Sequence, residues 1–379
     1  VNISVNTRLL LPNKLEGIGS FSHEILKRIT QRHPEHTFHF YFDRPFAEEF
    51  VYGSNVIPHV LYPPARHRYL WYLFFEWSIP WMNRKTKADL FLSPDGYYSL
   101  STPTPGVNVI HDINFEHRPF DLPPAIASYY REAFPKFAHK ATRIATVSNF
   151  SKKDLMQTYQ LPASKIDVVY NGCNDSFRPL TRTEKSTVRL TYTQGNPYFI
   201  YVGSLHPRKN IATLLKAFDA YKRTTGYPDK LVLVGTPMWG NTEIETLLTT
   251  LAFASDILFL GRQSTLEVAQ LVGAATALTF VPFFEGFGIP LLEAMQSDIP
   301  IIASHTTSLP EVAGSAAYYV DPHSTAELST ALQIVKESED LQQKLIMAGR
   351  LQRSLFSWDQ SALKLWNTLC QVQPGLASV

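Results

Sequence analysis

Apolar residues fall into two periodicities that take turns along the chain. Short runs rich in Val, Ile, Phe and Tyr read as strands: "NISVN", "TFHFYF", "DLFLSP", "VNVIH", "RIATVS" and "IDVVY", then "YFIYVG", "KLVLVG", "DILFLG", "ALTFVPF", "PIIAS" and "AAYYVD". Between them apolar positions recur at helical spacing. The pattern predicts helices over Ser20–Gln31, Tyr69–Met82, Pro124–His139 and Phe150–Tyr159. In the second half it predicts helices over Asn210–Thr224, Asn241–Phe253, Leu266–Val272 and Pro290–Met295. A long helical stretch, Thr325–Gly349, and a last helix within Phe356–Val372 close the chain. Strands that look buried on both faces and alternate with helices imply parallel sheets covered on both sides. The alternation runs twice. The break falls in the polar stretch Ser176–Pro197, which reads as a linker. The expected architecture is α/β, with two Rossmann-like, doubly wound domains, residues 1–180 and 181–355, facing a central cleft. Residues 356–379 are expected to pack back across the domain junction.

Length agrees with two domains, since 379 residues at 45% hydrophobic content exceed one small core. A formal net charge of +2 gives no broad footprint for nucleic acid. The two cysteines, Cys173 and Cys370, suggest neither a disulfide framework nor a zinc site. A reducing, cytoplasmic setting is the default. The chain opens directly on a strand pattern without a secretory signal, and no apolar run reaches the ~20 residues of a membrane span.

Candidate chemistry collects at strand ends. In "YVGSLHPRKNIATLLKAF" a strand stops at Gly203, and Arg208 and Lys209 precede a helix start. Backbone amides at a helix start, beside two cations, suit a diphosphate. A solvated basic turn would read the same way. In "VPFFEGFGIPLLEAM" glycines allow close backbone approach, Pro290 suits a first helical turn, and Glu285 and Glu293 flank the turn. A helix dipole accounts for Glu293 in that first turn, though not for Glu285 beside Phe287. Gly17 and Gly19 in "EGIGSF" fall short of the three-glycine dinucleotide fingerprint. His111 and Asp112 follow a strand end. Ser148 or Asn149 can cap the helix that follows them. His33, His36 and His39 read as surface residues rather than metal ligands. No Asp-x-Asp metal motif occurs.

The set "GIG", "HD", "VSNFSKKDL", "VVYNGCNDSFRP", "YVGSLHPRKNI", "FVPFFEGFGIPLLEAM" and "SLPEVAG" resembles the retaining family 4 glycosyltransferases of GT-B fold, in order over nearly the whole chain. The resemblance implies a nucleotide-diphosphate sugar as donor, GDP-mannose or a UDP-sugar, with no metal and no cofactor. Glu293 would hold the ribose hydroxyls and Glu285 the transferred sugar. Phe287, Gly288 and Ile289 would offer amides to sugar or diphosphate. Arg208 and Lys209, beside Gly203, would neutralise the leaving diphosphate. Gly17 and Gly19 would approach phosphates or acceptor, and His111 the reacting sugar. Ser308, Leu309 and Glu311 fall in the loop of the family's nucleotide contacts. Ser204 stands where many members carry an Arg, so Arg208 would supply that charge.

The acceptor would be a glycan or lipid-linked glycan of a bacterial surface polysaccharide. The stretch Arg66–Met82, "RHRYLWYLFFEWSIPWM", is aromatic enough for a few of its rings to rest at the inner membrane, while most would serve the core. A sugar-nucleotide epimerase or hydrolase on the same fold, and a non-catalytic sugar-nucleotide-binding scaffold, are the alternatives. A Rossmann oxidoreductase is more distant.

Overall fold

The computed structural model describes residues 1–12, 14–15, 17–65, 67–236 and 242–377. It divides into two compact units. The first comprises Val1–Phe120, Pro124–Asn171 and Ser357–Val379; the second comprises Asp121–Pro123 and Gly172–Phe356.

The first unit is built on seven parallel strands: β1 (Asn2–Asn6), β2 (Thr37–Phe42), β3 (Val56–Val60), β4 (Leu90–Ser93), β5 (Gly106–Val109), β6 (Arg143–Thr146) and β7 (Ile166–Val168). Their order is β3-β2-β1-β4-β5-β6-β7. Winding therefore reverses between β1 and β4, where the chain leaves both strand ends on the same side. Strand β3 was not legible as a strand because Pro58 interrupts it. It is an edge strand paired only with β2, where a missing N–H is tolerated. The core holds Ile3, Val5, Phe21, Phe38, Phe40, Leu90, Phe91, Val107 and Ile144.

The second unit carries β8 (Tyr198–Val202), β9 (Lys230–Val234), β10 (Ile257–Gly261), β11 (Ala277–Phe280), β12 (Ile301–Ser304) and β13 (Ala317–Val320), in the order β10-β9-β8-β11-β12-β13 and all parallel. Here the winding reverses between β8 and β11. Both sheets are thus doubly wound and Rossmann-like, as the alternation predicts.

Several expectations are corrected. The stretch read as a linker contains the helix Arg182–Thr193, and the units divide at Asn171/Gly172. A capping box starts that helix: Thr181 Oγ1 accepts the Glu184 N–H, and the Glu184 carboxylate accepts the Thr181 N–H. The expected helix Thr325–Gly349 is two, Thr325–Glu337 and Glu339–Gln352. They part at Ser338, whose hydroxyl accepts the Leu341 N–H. The expected helix Tyr69–Met82 becomes Arg68–Leu73, a π-helical turn over Phe74–Ser78, and Ile79–Lys85. Pro80, which lacks an N–H, is the second residue of the helix that follows the wide turn. Residue Arg66 lies outside the described residues. So does Asn241, and the helix expected from it is described over Thr242–Leu248.

The last helix, Trp358–Val372, belongs to the first unit. It lies against the helix Gly17–Arg32. Asp359 accepts from Arg28 at 3.1 Å and Arg32 at 2.6 Å, and Trp366 stacks on His33 with ring centroids 3.6 Å apart. His36 and His39 are buried rather than superficial, and His39 Nδ1 lies 3.0 Å from His59 Nε2. The burial of His36 is invisible to local polarity, because Trp366, 5.5 Å from it between ring centroids, comes from the helix Trp358–Val372.

Candidate functional site

In the second unit the loops after β8 and β11 adjoin the reversal point, the place where open α/β sheets bind ligands. They are tied together. The Phe283 N–H donates to the Arg208 carbonyl at 2.8 Å. Asn210, at φ 62°, donates its amide to the Val281 carbonyl at 3.0 Å and the Pro322 carbonyl at 2.6 Å. A short helical turn, Pro207–Lys209, precedes the helix Ile211–Thr225. This turn aims both cations at one acidic residue. Arg208 Nη1 donates to Glu285 Oε1 at 2.7 Å and to the Phe284 carbonyl at 3.0 Å, and Lys209 Nζ reaches the same Oε1. Lys209 Nζ also stands 5.3 Å from the Phe280 ring centroid. Glu285 is 7% exposed. Its N–H donates to Thr307 Oγ1 at 3.3 Å, and its carbonyl accepts from Ser308 Oγ at 2.9 Å. The loop holding Ser308, Leu309 and Glu311 is thereby fixed to the Glu285 loop.

Gly288, at φ 94°, starts the helix Ile289–Gln296. A Cβ there would come within 2.6 Å of Leu309 Cδ2, so only glycine both accepts the left-handed backbone and leaves room for Leu309. Glu293 is the fifth residue of this helix, in its second turn and not its first as expected. A helix-dipole account therefore does not apply. The residue keeps part of its surface open, yet Oε2 is enclosed and accepts no hydrogen bond from a described residue. Burial pushes this carboxyl up to about 7. A buried acceptor of this kind suits a ligand's hydroxyls.

His206 went unnoticed in the sequence. It is 6% exposed, and its Nδ1 accepts the Arg208 N–H at 3.2 Å. Burial first, and the neighbouring Arg208 second, bring its imidazole down to about 4, so it is neutral. At Gly203 the chain takes φ 145°, and its carbonyl lies where a Cβ on Gly235 would stand, 1.9 Å away. The pair of glycines lets the ends of β8 and β9 touch.

The remaining candidates lie in the first unit. Gly17 is exposed at the start of the helix Gly17–Arg32, and Gly19 is buried within it, where a Cβ would approach the Leu9 carbonyl at 2.8 Å. His111 follows β5. Its Nε2–H donates to the Pro94 carbonyl at 2.9 Å, and its ring meets Phe21 edge-on at 4.8 Å. Burial lowers its pKa, with the Pro94 carbonyl and Asp112 pulling the other way. A neutral ring that donates through Nε2 carries its lone pair on Nδ1. Ser148 caps the helix Asn149–Tyr159 through the Ser151 N–H at 3.0 Å. Among the described residues no three of His, Cys, Asp or Glu converge as a metal site would require.

Comparisons with known proteins fall on both units. The family model for Glycosyltransferase Family 4 matches residues 15–177, and that for Glycosyl transferases group 1 matches residues 183–352. Among curated proteins the chain is similar to the O-antigen chain mannosyltransferase B of Escherichia coli, 28% identical over 76% of this chain and 75% of that one. It is similar to the O-antigen chain mannosyltransferase RfbU of Salmonella typhimurium, 29% identical over 61% of each. A D-inositol 3-phosphate glycosyltransferase of Nocardioides sp. is 26% identical over 59% of this chain and 52% of its own. The chain thus spans between about half and three quarters of the length of these relatives. Among solved structures, WaaG, a glycosyltransferase involved in lipopolysaccharide biosynthesis, superposes with a TM-score of 0.77 at 15% identity, covering 98% of this chain and 99% of that one. Anabaena HepE in complex with UDP-glucose gives the same TM-score at 17% identity and the same coverage. The chain belongs to the family 4 glycosyltransferases, the glycosyl transferases group 1, and has their GT-B fold.

Proposed function

We propose that the chain moves a mannose-like hexose from a nucleotide-diphosphate sugar to a hydroxyl of a glycan or lipid-linked glycan. The transfer retains anomeric configuration and serves bacterial surface polysaccharide synthesis. The observation that carries this reading is the joint placement of Arg208, Lys209 and Glu285 at the reversal point, with the enclosed carboxyl of Glu293 on the helix that the same loop leads into. The names of the first two relatives favour mannose, so GDP-mannose is the first candidate donor and a UDP-sugar, as in the HepE complex, the second.

In this reading the ribose hydroxyls donate to Glu293. The diphosphate lies at the start of the helix Ile289–Gln296, within reach of the amides of Phe287, Gly288 and Ile289. Ser308, Leu309 and Glu311 border the nucleotide. Glu285 holds two like charges together until the donor arrives. The phosphates then compete for Arg208 and Lys209, and Glu285 is released toward the sugar. As the glycosidic bond breaks, negative charge grows on the leaving phosphate and positive charge on the sugar ring. The two cations stabilise the first of these, the work a divalent ion does elsewhere, so neither metal nor cofactor is required. The leaving phosphate takes the proton of the incoming hydroxyl on the same face, which preserves configuration. His111 Nδ1 accepts from a sugar hydroxyl, and Gly17 and Gly19 leave room for acceptor or phosphate.

A thermal-shift series with GDP, UDP, ADP and their sugar conjugates tests the donor site, because a ligand of the native state alone raises Tm. Donor consumption with and without a mannoside acceptor tests transfer. Selective stabilisation together with acceptor-dependent consumption supports the proposal. Turnover without acceptor would support the epimerase or hydrolase reading, and binding without turnover the scaffold.

The helical run after β3 favours one further placement. Phe74 and Phe75 are buried, whereas Tyr69, Tyr72, Trp77 and Trp81 are 58–68% exposed, with Tyr62 beside them at 72%. Arg84 and Lys85 are exposed next to them, and Lys85 Nζ lies 5.1 Å from the Trp81 ring. Among the described residues no helix is long and apolar enough to cross a membrane. Amphipathic rings flanked by cations suit the surface of an anionic bilayer, here the cytoplasmic face of the inner membrane. Trp77→Ala with Trp81→Ala should abolish co-sedimentation with phosphatidylglycerol vesicles and spare transfer to a water-soluble acceptor. Unchanged co-sedimentation would overturn this placement.

A further inference from the structure

At the reversal point of the first sheet, three residues occupy equivalent places. Arg8, Asp95 and His111 each lie two positions beyond the end of their strands, β1, β4 and β5, which are neighbours in the sheet. They form one network. Arg8 Nε donates to Asp95 Oδ2 at 2.5 Å, and His111 donates to the carbonyl of Pro94, the residue before Asp95. Arg8 is 8% exposed. Its guanidinium carbon stands 4.2 Å from the Tyr97 ring centroid and 5.8 Å from that of Phe75.

The hydrogen-bond inventory here is lopsided. Asp95 Oδ1 already accepts from Ser93 Oγ at 3.3 Å and the Tyr97 N–H at 3.2 Å. Nearby, Asp43 accepts from Arg44 through both oxygens and from the Ala65 N–H at 3.0 Å. Every oxygen of both carboxylates is thus already engaged from within the protein. The two Nη nitrogens of Arg8 make no hydrogen bond to a described residue, and neither is sealed from solvent. The surplus is therefore all donors, on a buried and permanently charged group. Such a group favours a bidentate oxyanion over a neutral hydroxyl.

The surroundings add a second requirement. Trp71 and Tyr97 meet at 5.4 Å between centroids, Trp71 and Tyr129 at 5.6 Å, and the Tyr97 hydroxyl donates to that of Tyr130 at 3.2 Å. Trp71, Tyr129 and Tyr130 are half-buried, so ring surface stays available to the apolar face of a sugar.

We propose that Arg8 is a specificity-determining residue of the acceptor subsite, which takes a glycan carrying an oxyanion close to the sugar. The oxyanion sits on the Arg8 Nη groups, and the sugar lies against Trp71, Tyr129 and Tyr130. This rests on the transferase reading for the acceptor's role, and on the first unit alone for the site. A phosphate ester in a lipid linkage and a carboxylate on an acidic sugar offer the same chemistry.

Three probes separate the possibilities: decyl mannoside, decyl mannosyl diphosphate and decyl mannuronoside. Binding to the full chain is measured by calorimetry and transfer by acceptor kinetics. The wild type is expected to bind an anionic probe at least tenfold more tightly than the neutral one. Preference for the diphosphate assigns a lipid-linkage phosphate, and preference for the uronoside an acidic sugar. Arg8→Gln should remove the anionic preference, with the Kd for the neutral probe and for the donor nucleotide changed less than twofold. Arg8→Lys should restore part of it. A loss of folded protein affects all probes alike and leaves the ratio intact. Absence of anionic preference in the wild type, or a preference that survives Arg8→Gln, overturns the proposal. Arg8-dependent anion binding without any transfer would leave the subsite standing and refute the transferase reading instead.

Discussion

Replacing Glu293 by Gln should make the protein more stable at alkaline pH while weakening the donor site. Burial pushes the Glu293 carboxyl up to about 7 from its ordinary 4.5. Between those values the folded chain holds a proton that the unfolded chain has released, so stability falls as pH rises. Each unit of pKa difference corresponds to about 1.4 kcal/mol. Between pH 5 and pH 8 the ionisable side chain should therefore cost the wild type about 2–3 kcal/mol that the Gln variant does not lose. Gln adds its own enclosed amide, a constant offset that cancels in the comparison of two pH values. The assay is denaturant unfolding of both proteins at pH 5 and pH 8, with Tm as a cross-check. For a unit of this size about 2–3 kcal/mol corresponds to several degrees. Equal gaps between the proteins at the two pH values would refute the burial argument. On the ligand side, nucleotide binding to the wild type should tighten as pH rises through about 7, because the ionised carboxylate is the better hydroxyl acceptor. The Gln variant should bind more weakly without that pH dependence.

Lys209→Ala should lower kcat by about 10²–10³ with a smaller change in donor Kd, since its charge is matched to the phosphate most strongly as the bond breaks. Single-turnover kinetics beside calorimetry separates the two effects, and a change confined to Kd would contradict the assigned role. Gly288→Ala should cost about 1–3 kcal/mol from the left-handed backbone alone, and the approach of Cβ to Leu309 Cδ2, 2.6 Å, would also displace the nucleotide loop. Its signature is a lowered Tm together with lost nucleotide binding. Normal binding would show that the loop tolerates a side chain.

Much of the fold was legible because its cues are local. Parallel strands buried on both faces are continuous apolar runs, and among the described residues every strand but β3 announces itself in this way. Strand β3 failed because Pro58 is a breaker unless the strand is known to lie at an edge. The helix Arg182–Thr193 failed for the opposite reason. It is so polar overall that the stretch reads as a loop despite its amphipathic pattern, and the Thr181–Glu184 capping box was its one sharp cue. At the site, the glycines, Arg208, Lys209, Glu285 and Glu293 stand out because their spacing is tied to a strand–loop–helix turn. Arg8 does not, since an Arg in "NTRLL" is ordinary until β4 brings Asp95 and Tyr97 against it from almost ninety residues away. Asn210 likewise gains meaning only through the Val281 and Pro322 carbonyls, and His206 through its burial and the Arg208 N–H.

The assignment of Trp358–Val372 to the first unit has a consequence for how the protein comes into being. On the ribosome, residues 1–171 emerge early but lack the helix that covers Phe21, His33 and His36. The second unit, almost wholly contained in Gly172–Phe356, is available to complete its sheet before the first can close. The nascent first unit waits through the synthesis of its neighbour with part of an apolar face uncovered. A stop codon just before Trp358 would spare every residue assigned to the donor and still leave a first unit without its covering helix.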